Sequence, residues 1–183
     1  MHRIPIDVPL LEEKIVTSIL FTAIETDDGI TGYGLTRGAQ RFGLKEFINR
    51  EAGPFLRGKN PLESERIWNQ LYKQFNPRAQ TGMWSSAVSA IDIALWDIKG
   101  KHYREPVWRL LGGAQNPVQA YVTFGLKQYE KDQLVEVAKQ LVERGETRLK
   151  MVVAVDPENP KLDAERVRAV REAVGDQAEL MID

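Results

Sequence analysis

The sequence contains no cysteine, and His2 and His102 are its only histidines among 183 residues. The missing thiols exclude disulfide bonds, thiolate-bound metals and a cysteine nucleophile. Two histidines are too few for a multi-histidine zinc site within the chain. No apolar run approaches the length of a membrane span, and the N-terminus lacks the apolar segment of a signal peptide. We therefore expect a globular protein of the cytoplasm.

The chain also lacks an excess of charge of either sign. Its 25 lysines and arginines nearly balance its 26 aspartates and glutamates, which gives a formal net charge of −1. A partner that binds through bulk electrostatics, such as nucleic acid or an anionic membrane, requires a strongly basic surface. We therefore expect neither a nucleic-acid partner nor a membrane partner.

The start of the chain predicts a small antiparallel sheet. Residues 15–25 are rich in β-branched and apolar types, which favour a strand. The turn signal Asp27-Asp28-Gly29 then leads into a return strand over residues 30–35. Residues 2–8 can add a third strand to this sheet.

Helices are predicted next. The run Asn-Pro-Leu-Glu at residues 60–63 predicts a helix that starts there with Asn60 as its N-cap. A second apolar period, beginning near Met83, predicts a helix that stops at Gly100. Asp92 and Asp97 lie on different faces of that helix, so they do not form a carboxylate pair. We expect Asp92 to form a local ion pair with Lys99 or with Arg104.

The second half of the chain alternates strands and helices, which is typical of a parallel sheet with right-handed crossovers. The strands are predicted over residues 118–124, 148–155 and 180–183, and the helices over residues 129–144 and 163–174. The change of pattern places a domain boundary near residues 113–117.

Lys150 is the most informative residue inside these predicted strands. Leu149 and Met151 face one side of the strand by its two-residue period, and Lys150 faces the other. Because parallel strands are covered on both faces, we expect this lysine to be desolvated, with a lowered pKa suited to acid–base or electrostatic work. Alternatively, Lys150 lies at the start of its strand and extends its ammonium group into solvent.

Asp183 is the last residue of the sequence and follows a strand that has just begun. Parallel sheets carry their chemistry at the C-terminal ends of strands. A carboxylate there can bind a hard cation such as Mg²⁺, or it can cap a following helix. The sequence thus breaks off on a candidate functional residue, and we expect the protein to continue beyond it.

The resemblance to a known family rests on three motifs: residues 87–101, Pro106-Val107 and Leu110-Leu111-Gly112-Gly113. Together they strongly resemble the mandelate racemase and muconate lactonizing enzyme branch of the enolase superfamily. The resemblance implies an α+β N-terminal capping domain over residues 1–113. An incomplete (β/α) TIM-type barrel, represented by its first three strands, is implied over residues 114–183.

The family's chemistry gives Asp183 an implied role. Members bind Mg²⁺ through carboxylates at the ends of three successive barrel strands and remove the proton α to a substrate carboxylate. The resemblance implies that Asp183 is the first of these metal ligands and that the other two lie beyond this sequence. It also implies that Pro9 to Thr17 is the mobile capping loop, which closes over substrate and excludes water.

Lys150 matches the first lysine of the family's Lys-x-Lys pair, but the second position holds Val152. In the family the second lysine is commonly the base, and the first lowers its pKa by like-charge repulsion. Val152 cannot accept a proton, so the base comes from a later strand or Lys150 has been repurposed. This disfavours a two-base racemase. A second departure is Leu35, which stands where the family usually has an acidic residue.

The resemblance therefore implies an Mg²⁺-dependent enzyme that acts on a small carboxylate, with an acid-sugar dehydratase as the first expectation. A racemase, epimerase or cycloisomerase is the alternative. Lys150 is the candidate catalytic residue and Asp183 the candidate metal ligand. The alternative of another class is that the chain is a catalytically incomplete fragment or a non-catalytic subunit. A missing C-terminal barrel half or a second chain would then complete it. We expect the 183 residues alone to be inactive and the protein to form a homo-oligomer.

Overall fold

The computed structural model describes residues 2–6, 8–12, 14–37, 40–75, 82–114 and 117–183. They form two compact units: Met1–Pro5 with Val16–Asn116, and Ile6–Ile15 with Pro117–Asp183. Residues 115 and 116, which belong to the predicted boundary, lie outside the described ranges. Within those ranges, no helix is long and apolar enough to cross a membrane.

A three-stranded sheet begins the first unit. Its strands are β1 (His2–Ile6), β2 (Ile15–Glu25) and β3 (Thr31–Arg37), with β2 in the middle. β2 and β3 pair in antiparallel register, which places Phe21 opposite Leu35. At the turn, Ile30 N–H donates to the Thr26 hydroxyl at 2.9 Å and Gly29 adopts a φ of 83°. The predicted hairpin is confirmed. Asp7, which belongs to the predicted first strand, lies outside the described residues.

Five helices follow within the described part of the chain, together with a π-helical stretch at Ile48–Ala52. The helices are α1 (Arg41–Phe47), α2 (Gly53–Leu56), α3 (Ser64–Phe75), α4 (Met83–Tyr103) and α5 (Val107–Leu110). Ile67 and Leu71 of α3 pack against Ile91, Leu95 and Ile98 of α4, and each of these side chains is at most 3% exposed. These residues form the main core of the first unit, as the apolar periodicity predicts.

Two glycines of β3 let that strand lie directly on α4. A Cβ atom on Gly34 would lie 1.8 Å from Ala90 O, and one on Gly32 would lie 2.1 Å from Ala94 O. No side chain larger than hydrogen fits at either position. Close packing between strand and helix therefore requires both glycines.

The predicted start of α3 is wrong. Asn60 does not cap the helix, because Asn60 O accepts a hydrogen bond from Glu63 N–H (3.1 Å) and Asn60 Oδ1 accepts one from Leu62 N–H (3.0 Å). These bonds close a separate turn before the helix. The first helical residue is Ser64, and Ile67 N–H donates to Glu63 O at 3.0 Å.

The predicted end of α4 at Gly100 is also wrong. The helix continues to Tyr103 and ends where Arg104 adopts a left-handed φ of 55°. Gly100 instead makes room for the returning chain: Glu105 N–H donates to Gly100 O at 2.9 Å, and a Cβ on Gly100 would lie 3.0 Å from Glu105 O. The glycine marks the approach of a neighbouring segment, and the helix passes through it.

Asp92 and Asp97 lie in separate environments on α4, as their spacing predicts. The Asp97 carboxylate accepts hydrogen bonds from Tyr33 N–H (2.8 Å) and from Lys101 Nζ (2.7 Å), so it ties α4 to β3. Burial raises the pKa of Asp92, and a weaker attraction to Lys99 opposes this shift.

The expected ion pair of Asp92 is wrong. Within the described ranges its carboxylate forms no salt bridge with Lys99 or Arg104. Lys99 Nζ donates instead to the Ser64 hydroxyl at 2.7 Å and lies 4.4 Å from the centre of the Trp96 ring. Lys99 therefore joins α4 to the start of α3.

The second unit contains a three-stranded parallel sheet and two long helices. Its elements are β4 (Val122–Phe124), α6 (Lys131–Glu143), β5 (Arg148–Met151), α7 (Pro160–Val174), a 3₁₀ turn (Gly175–Gln177) and β6 (Glu179–Ile182). The strand order is β4-β5-β6, and both pairs are parallel. The predicted βαβαβ pattern is confirmed.

β5 is shorter than predicted. The strand itself ends at Met151, the ladder hydrogen bonds to its neighbours continue as far as Val153, and Ala154 then adopts a left-handed φ of 57°. The Asp163 carboxylate, in the first turn of α7, accepts hydrogen bonds from Ala154 N–H (2.9 Å) and Val155 N–H (3.4 Å). These bonds hold the loop in place and take the amides that a longer strand would need.

The two helices pack on one face of this sheet. Leu149 and Met151 are fully buried there, in a core with Leu134 and Val137 of α6 and Val170 of α7. The alternate residues of the strands lie on the opposite face, where Thr123 is exposed and Lys150 and Met181 are half-buried. The candidate site occupies this more open face.

Candidate active site

The C-terminal ends of the three strands are joined by backbone hydrogen bonds that continue beyond the strands themselves. Val152 N–H donates to Phe124 O at 2.8 Å, Asp183 N–H to Met151 O at 3.0 Å, and Val153 N–H to Asp183 O at 2.9 Å. Asp183 is therefore fixed by its backbone at the edge of the sheet, directly beside the end of β5. This is the edge at which parallel sheets carry functional groups.

The two residues that the sequence singles out meet at this edge. Lys150 Nζ lies 2.5 Å from Asp183 Oδ2. The register explains the contact: Lys150 pairs with Met181 on the neighbouring strand, and Asp183 follows two residues later on the same face. The Lys150 side chain is 21% exposed and that of Asp183 is 66% exposed, so the pair opens toward solvent at its acidic end.

Tyr121 is a third member of the site that sequence reasoning missed. Lys150 Nζ lies 5.0 Å from the centre of the Tyr121 ring, within the range of a cation–π contact. Thr123 shares this face, since it pairs with Lys150 across β4 and β5. The signal was present in the sequence, because Tyr121 and Thr123 alternate with the apolar Val122 and Phe124.

The expected lowering of the Lys150 pKa is wrong. The hydrogen bond to the Asp183 carboxylate raises the pKa of Lys150, Tyr121 adds to this effect, and partial burial opposes it without reversing it. The expectation failed because it assumed helices on both faces of the sheet, whereas Lys150 points to the open face, where a carboxylate meets it. The alternative, an ammonium group free in solvent at the start of the strand, does not describe Lys150 either.

At this edge of the sheet, the Asp183 carboxylate carries ligand atoms that suit Mg²⁺. A largely exposed carboxylate at a strand end offers the hard oxygen ligands that Mg²⁺ prefers. Across the described ranges, no group of three His, Cys, Asp or Glu side chains is placed to hold a metal ion. Asp183 therefore suits one position of a metal site, and these residues do not supply a whole one.

Val152 lies where a second lysine would have to be for base catalysis from β5. Its side chain is half-buried and has no atom that accepts a proton. Its backbone continues the sheet through the bond to Phe124 O. The position therefore contributes to the architecture of the edge but not to proton transfer.

An α+β unit followed by parallel strands with charged residues at their C-terminal ends defines a class of α/β proteins with strand-end sites. The family described as "Mandelate racemase / muconate lactonizing enzyme, N-terminal domain" matches residues 6–112, and "Enolase C-terminal domain-like" matches residues 133–183. The chain belongs to the mandelate racemase/muconate lactonizing enzyme family of the enolase superfamily.

The chain is also similar to relatives with named activities. The chain is 37% identical to a D-galactarolactone cycloisomerase from Agrobacterium fabrum, over 87% of this chain and 42% of the relative. It is 32% identical to an arabinonate dehydratase from Saccharolobus solfataricus, over 90% of this chain and 44% of the relative. The chain thus spans somewhat less than half the length of these curated relatives.

A solved structure gives the same result for the fold. L-talarate dehydratase from Polaromonas sp., crystallised with Mg and L-glucarate, superimposes with a TM-score of 0.80 at 33% identity. The match covers 99% of this chain and 49% of that protein. The family relationship therefore extends over both units.

Proposed function

We propose that this chain forms part of an Mg²⁺-dependent enzyme that removes the proton α to the carboxylate of an acid sugar and then eliminates water. The observation that carries the proposal is the meeting of Lys150 and Asp183 at the C-terminal ends of neighbouring parallel strands. The named activities of the relatives, a dehydratase and a cycloisomerase on sugar-derived substrates, support this reaction class.

Asp183 would hold the metal ion through its exposed carboxylate. When bound there, Mg²⁺ stabilises the negative charge that develops on the substrate's carboxylate oxygens. The backbone bonds on both sides of Asp183 keep its carboxylate in place, so little reorganisation is needed when a cation arrives.

Lys150 would place a second positive charge beside the substrate carboxylate. Its ammonium group lies against Asp183 and the Tyr121 ring, which fix its direction on the open face of the sheet. A preorganised cation at this point attracts the anionic substrate and stabilises charge that builds up on its oxygens. Because Val152 cannot act as a base, we assign proton removal to a group that is not among these 183 residues.

The deuterium content at the substrate's α-carbon gives the most direct test. The full-length protein is incubated with Mg²⁺ in D₂O and a panel that includes arabinonate, L-talarate and galactarate, and both exchange and dehydration are followed by NMR. Dehydration with loss of the α-hydrogen is the expected result. Exchange on none of the acid sugars, together with no dehydration, contradicts the proposal.

A matched pair of variants assigns the metal role. Asp183→Asn keeps the size of the side chain but removes its charge, and we expect Mg²⁺-dependent turnover to fall by a factor of about 10² or more. Asp176→Asn makes the same change at an exposed position on the 3₁₀ turn and should leave turnover unchanged. Equal effects of the two variants would remove Asp183 from the metal site.

The same assay separates the alternatives. Exchange or isomer formation without loss of water indicates a racemase, epimerase or cycloisomerase, and the cycloisomerase relative is the observation that favours this second candidate.

We also propose that the 183 residues alone are inactive and need further chain to complete the metal site. The basis is that the described ranges contain no cluster of three metal-binding side chains. Intact mass and light scattering of the native protein, measured beside its turnover, test the need for further chain. The same measurements test the expectation that the protein forms a homo-oligomer. A monomer of 20.8 kDa with full activity would contradict both.

A further inference from the structure

A reverse turn at residues 8–11 begins the segment that the family resemblance implies to be the capping loop. Leu11 N–H donates to Val8 O at 3.2 Å, Pro9 takes the second position of the turn, and Leu10 takes the third with a φ of 60°. A positive φ at the third position usually requires glycine, so a leucine there needs support from its surroundings. Of the predicted loop Pro9 to Thr17, Glu13 lies outside the described residues.

Tyr129 provides the first support. Its Oη donates a hydrogen bond of 2.6 Å to Pro9 O, a contact between residues 120 positions apart in the sequence. The side chain is 3% exposed, and its ring belongs to the core of the second unit. Burial raises the pKa of the Tyr129 phenol, so the hydroxyl keeps the proton that it donates.

Gln133 holds the next carbonyl of the turn. Its Nε2 donates to Leu10 O at 3.4 Å, while its Oε1 accepts a hydrogen bond from Glu130 N–H at 3.1 Å. The second bond belongs to the N-terminal cap of α6 and fixes the direction of the amide group. Val8 and Leu11, at the two ends of the turn, pack against the same core. Both outward carbonyls of the turn are thus bound by residues at the start of α6.

Arg166 holds the loop that carries Tyr129. Its guanidinium donates from Nη1 to Tyr129 O (2.6 Å) and from Nη2 to Leu126 O (3.2 Å), and the residue is 4% exposed. This loop follows the C-terminal end of β4, and the strands are parallel, so it starts from the same edge as Lys150 and Asp183. The turn at residues 8–11 is therefore attached to a loop that starts from the edge of the sheet carrying the candidate active site.

We propose that Tyr129, supported by Gln133 and Arg166, is a positioning residue that fixes the first turn of the expected capping loop at the edge of the sheet that carries the strand-end site. The proposal rests on the proposed function, since it assigns the turn a part in substrate closure. A loop whose first turn is already ordered loses less conformational entropy when it closes over a substrate. The bond from Tyr129 therefore favours closure without touching the substrate.

Hydrogen exchange of the full-length Mg²⁺-loaded protein tests the anchor independently of activity. Tyr129→Phe keeps the buried ring and removes only the bond to Pro9 O. We expect the amides of residues 10–12 to exchange roughly tenfold faster in this variant, because local opening becomes easier once the bond is lost. Tyr103→Phe, which removes an exposed hydroxyl from α4, serves as the matched control and should leave exchange in this segment unchanged.

Steady-state kinetics test whether the anchor matters for closure. We expect Tyr129→Phe to lower kcat/KM roughly tenfold, with most of the change in KM, since closure over the bound substrate becomes less favourable. Gln133→Glu keeps an acceptor for Glu130 N–H, removes the donor to Leu10 O and adds a negative charge that repels this carbonyl, so it should act in the same direction. It also provides the readout if Tyr129→Phe fails to fold.

Each outcome decides a separate point. Unchanged exchange over residues 10–12 in folded Tyr129→Phe and Gln133→Glu overturns the anchor. Faster exchange with unchanged kcat/KM overturns the role in closure. If the parent protein turns over none of the acid sugars, the proposed function fails, while the exchange measurement still confirms or overturns the anchor itself.

Discussion

Lys150 Nζ lies 2.5 Å from Asp183 Oδ2, and this ion pair joins two neighbouring parallel strands at their C-terminal ends. The contact places a cation beside the residue proposed to bind Mg²⁺. A lysine so close to a metal ligand can also lie against an anionic substrate, which is the arrangement that removal of a proton next to a carboxylate requires.

Lys150→Met removes this charge with little change in volume. We expect turnover of the full-length protein to fall by about 10²–10³, the usual effect of losing a preorganised electrostatic group. For the 183-residue chain, the free energy of unfolding should change by less than about 1 kcal/mol, because the Asp183 carboxylate is largely exposed there and water screens such pairs. Acid-sugar turnover and denaturant unfolding measure the two effects. Lys161→Met, on the exposed face of α7, should affect neither.

Gly34→Ala tests the close approach of β3 to α4. The added Cβ would lie 1.8 Å from Ala90 O, a backbone atom that cannot move away without shifting the helix. We expect a loss of about 3 kcal/mol or more in the free energy of unfolding. Gly43→Ala in α1 is the control, because its Cβ would meet only the flexible thioether of Met83. Equal unfolding midpoints for the two variants would show that the strand is not held this close.

Asp97→Asn tests a pH-dependent link between β3 and α4. Burial alone would raise the pKa of Asp97, but the hydrogen bonds from Lys101 and from Tyr33 N–H outweigh burial and lower it below the ordinary value. A lowered pKa in the folded state means that the carboxylate stabilises the fold above about pH 4, the ordinary pKa. This stabilisation is lost as the pH falls through the lowered value.

The measurement compares unfolding of the parent and Asp97→Asn proteins between neutral and acid pH. We expect the variant to be less stable by about 1 kcal/mol at pH 7, since the side chain is only partly buried. The difference should shrink as the pH falls below about 4. Asp27→Asn, at the exposed hairpin turn, is the matched control at pH 7 and should change the free energy of unfolding by less than about 0.5 kcal/mol. A difference that stays constant down to the acid range would contradict the assignment.

Arg166→Met removes the buried guanidinium that binds Tyr129 O and Leu126 O. Two carbonyls then lose charged donors in a site that water reaches poorly, so we expect a loss of about 2–4 kcal/mol in unfolding free energy. Arg168→Met, on the exposed side of the same helix, should cost less than about 0.5 kcal/mol. Thermal and denaturant unfolding measure both variants. A small effect for Arg166→Met would show that its hydrogen bonds to Tyr129 O and Leu126 O contribute little to stability.

Local patterns were sufficient where a segment's conformation depends on its own residues. The β-branched run over residues 15–25 forms a strand with those bounds, and the glycine-containing turn after it forms the hairpin. They failed at the start of α3 and at the end of α4. Asn60 and Gly100 carry strong local signals, but the first closes its own turn and the second makes room for Glu105. Those outcomes depend on which neighbouring segment competes for the same backbone groups.

The sequence by itself determined the order of the strands and of helices α3, α4, α6 and α7, the family, and the identity of Lys150 and Asp183 as residues of interest. It did not predict helices α1 and α2. Only the tertiary structure decided that Lys150 and Asp183 touch, that Tyr121 joins them, and that the pKa of Lys150 moves upward. It also decided that Tyr129 reaches Pro9. The physical reason is distance: a charge or a hydroxyl acts over a few ångströms, and strand register and chain crossovers set which residues come that close.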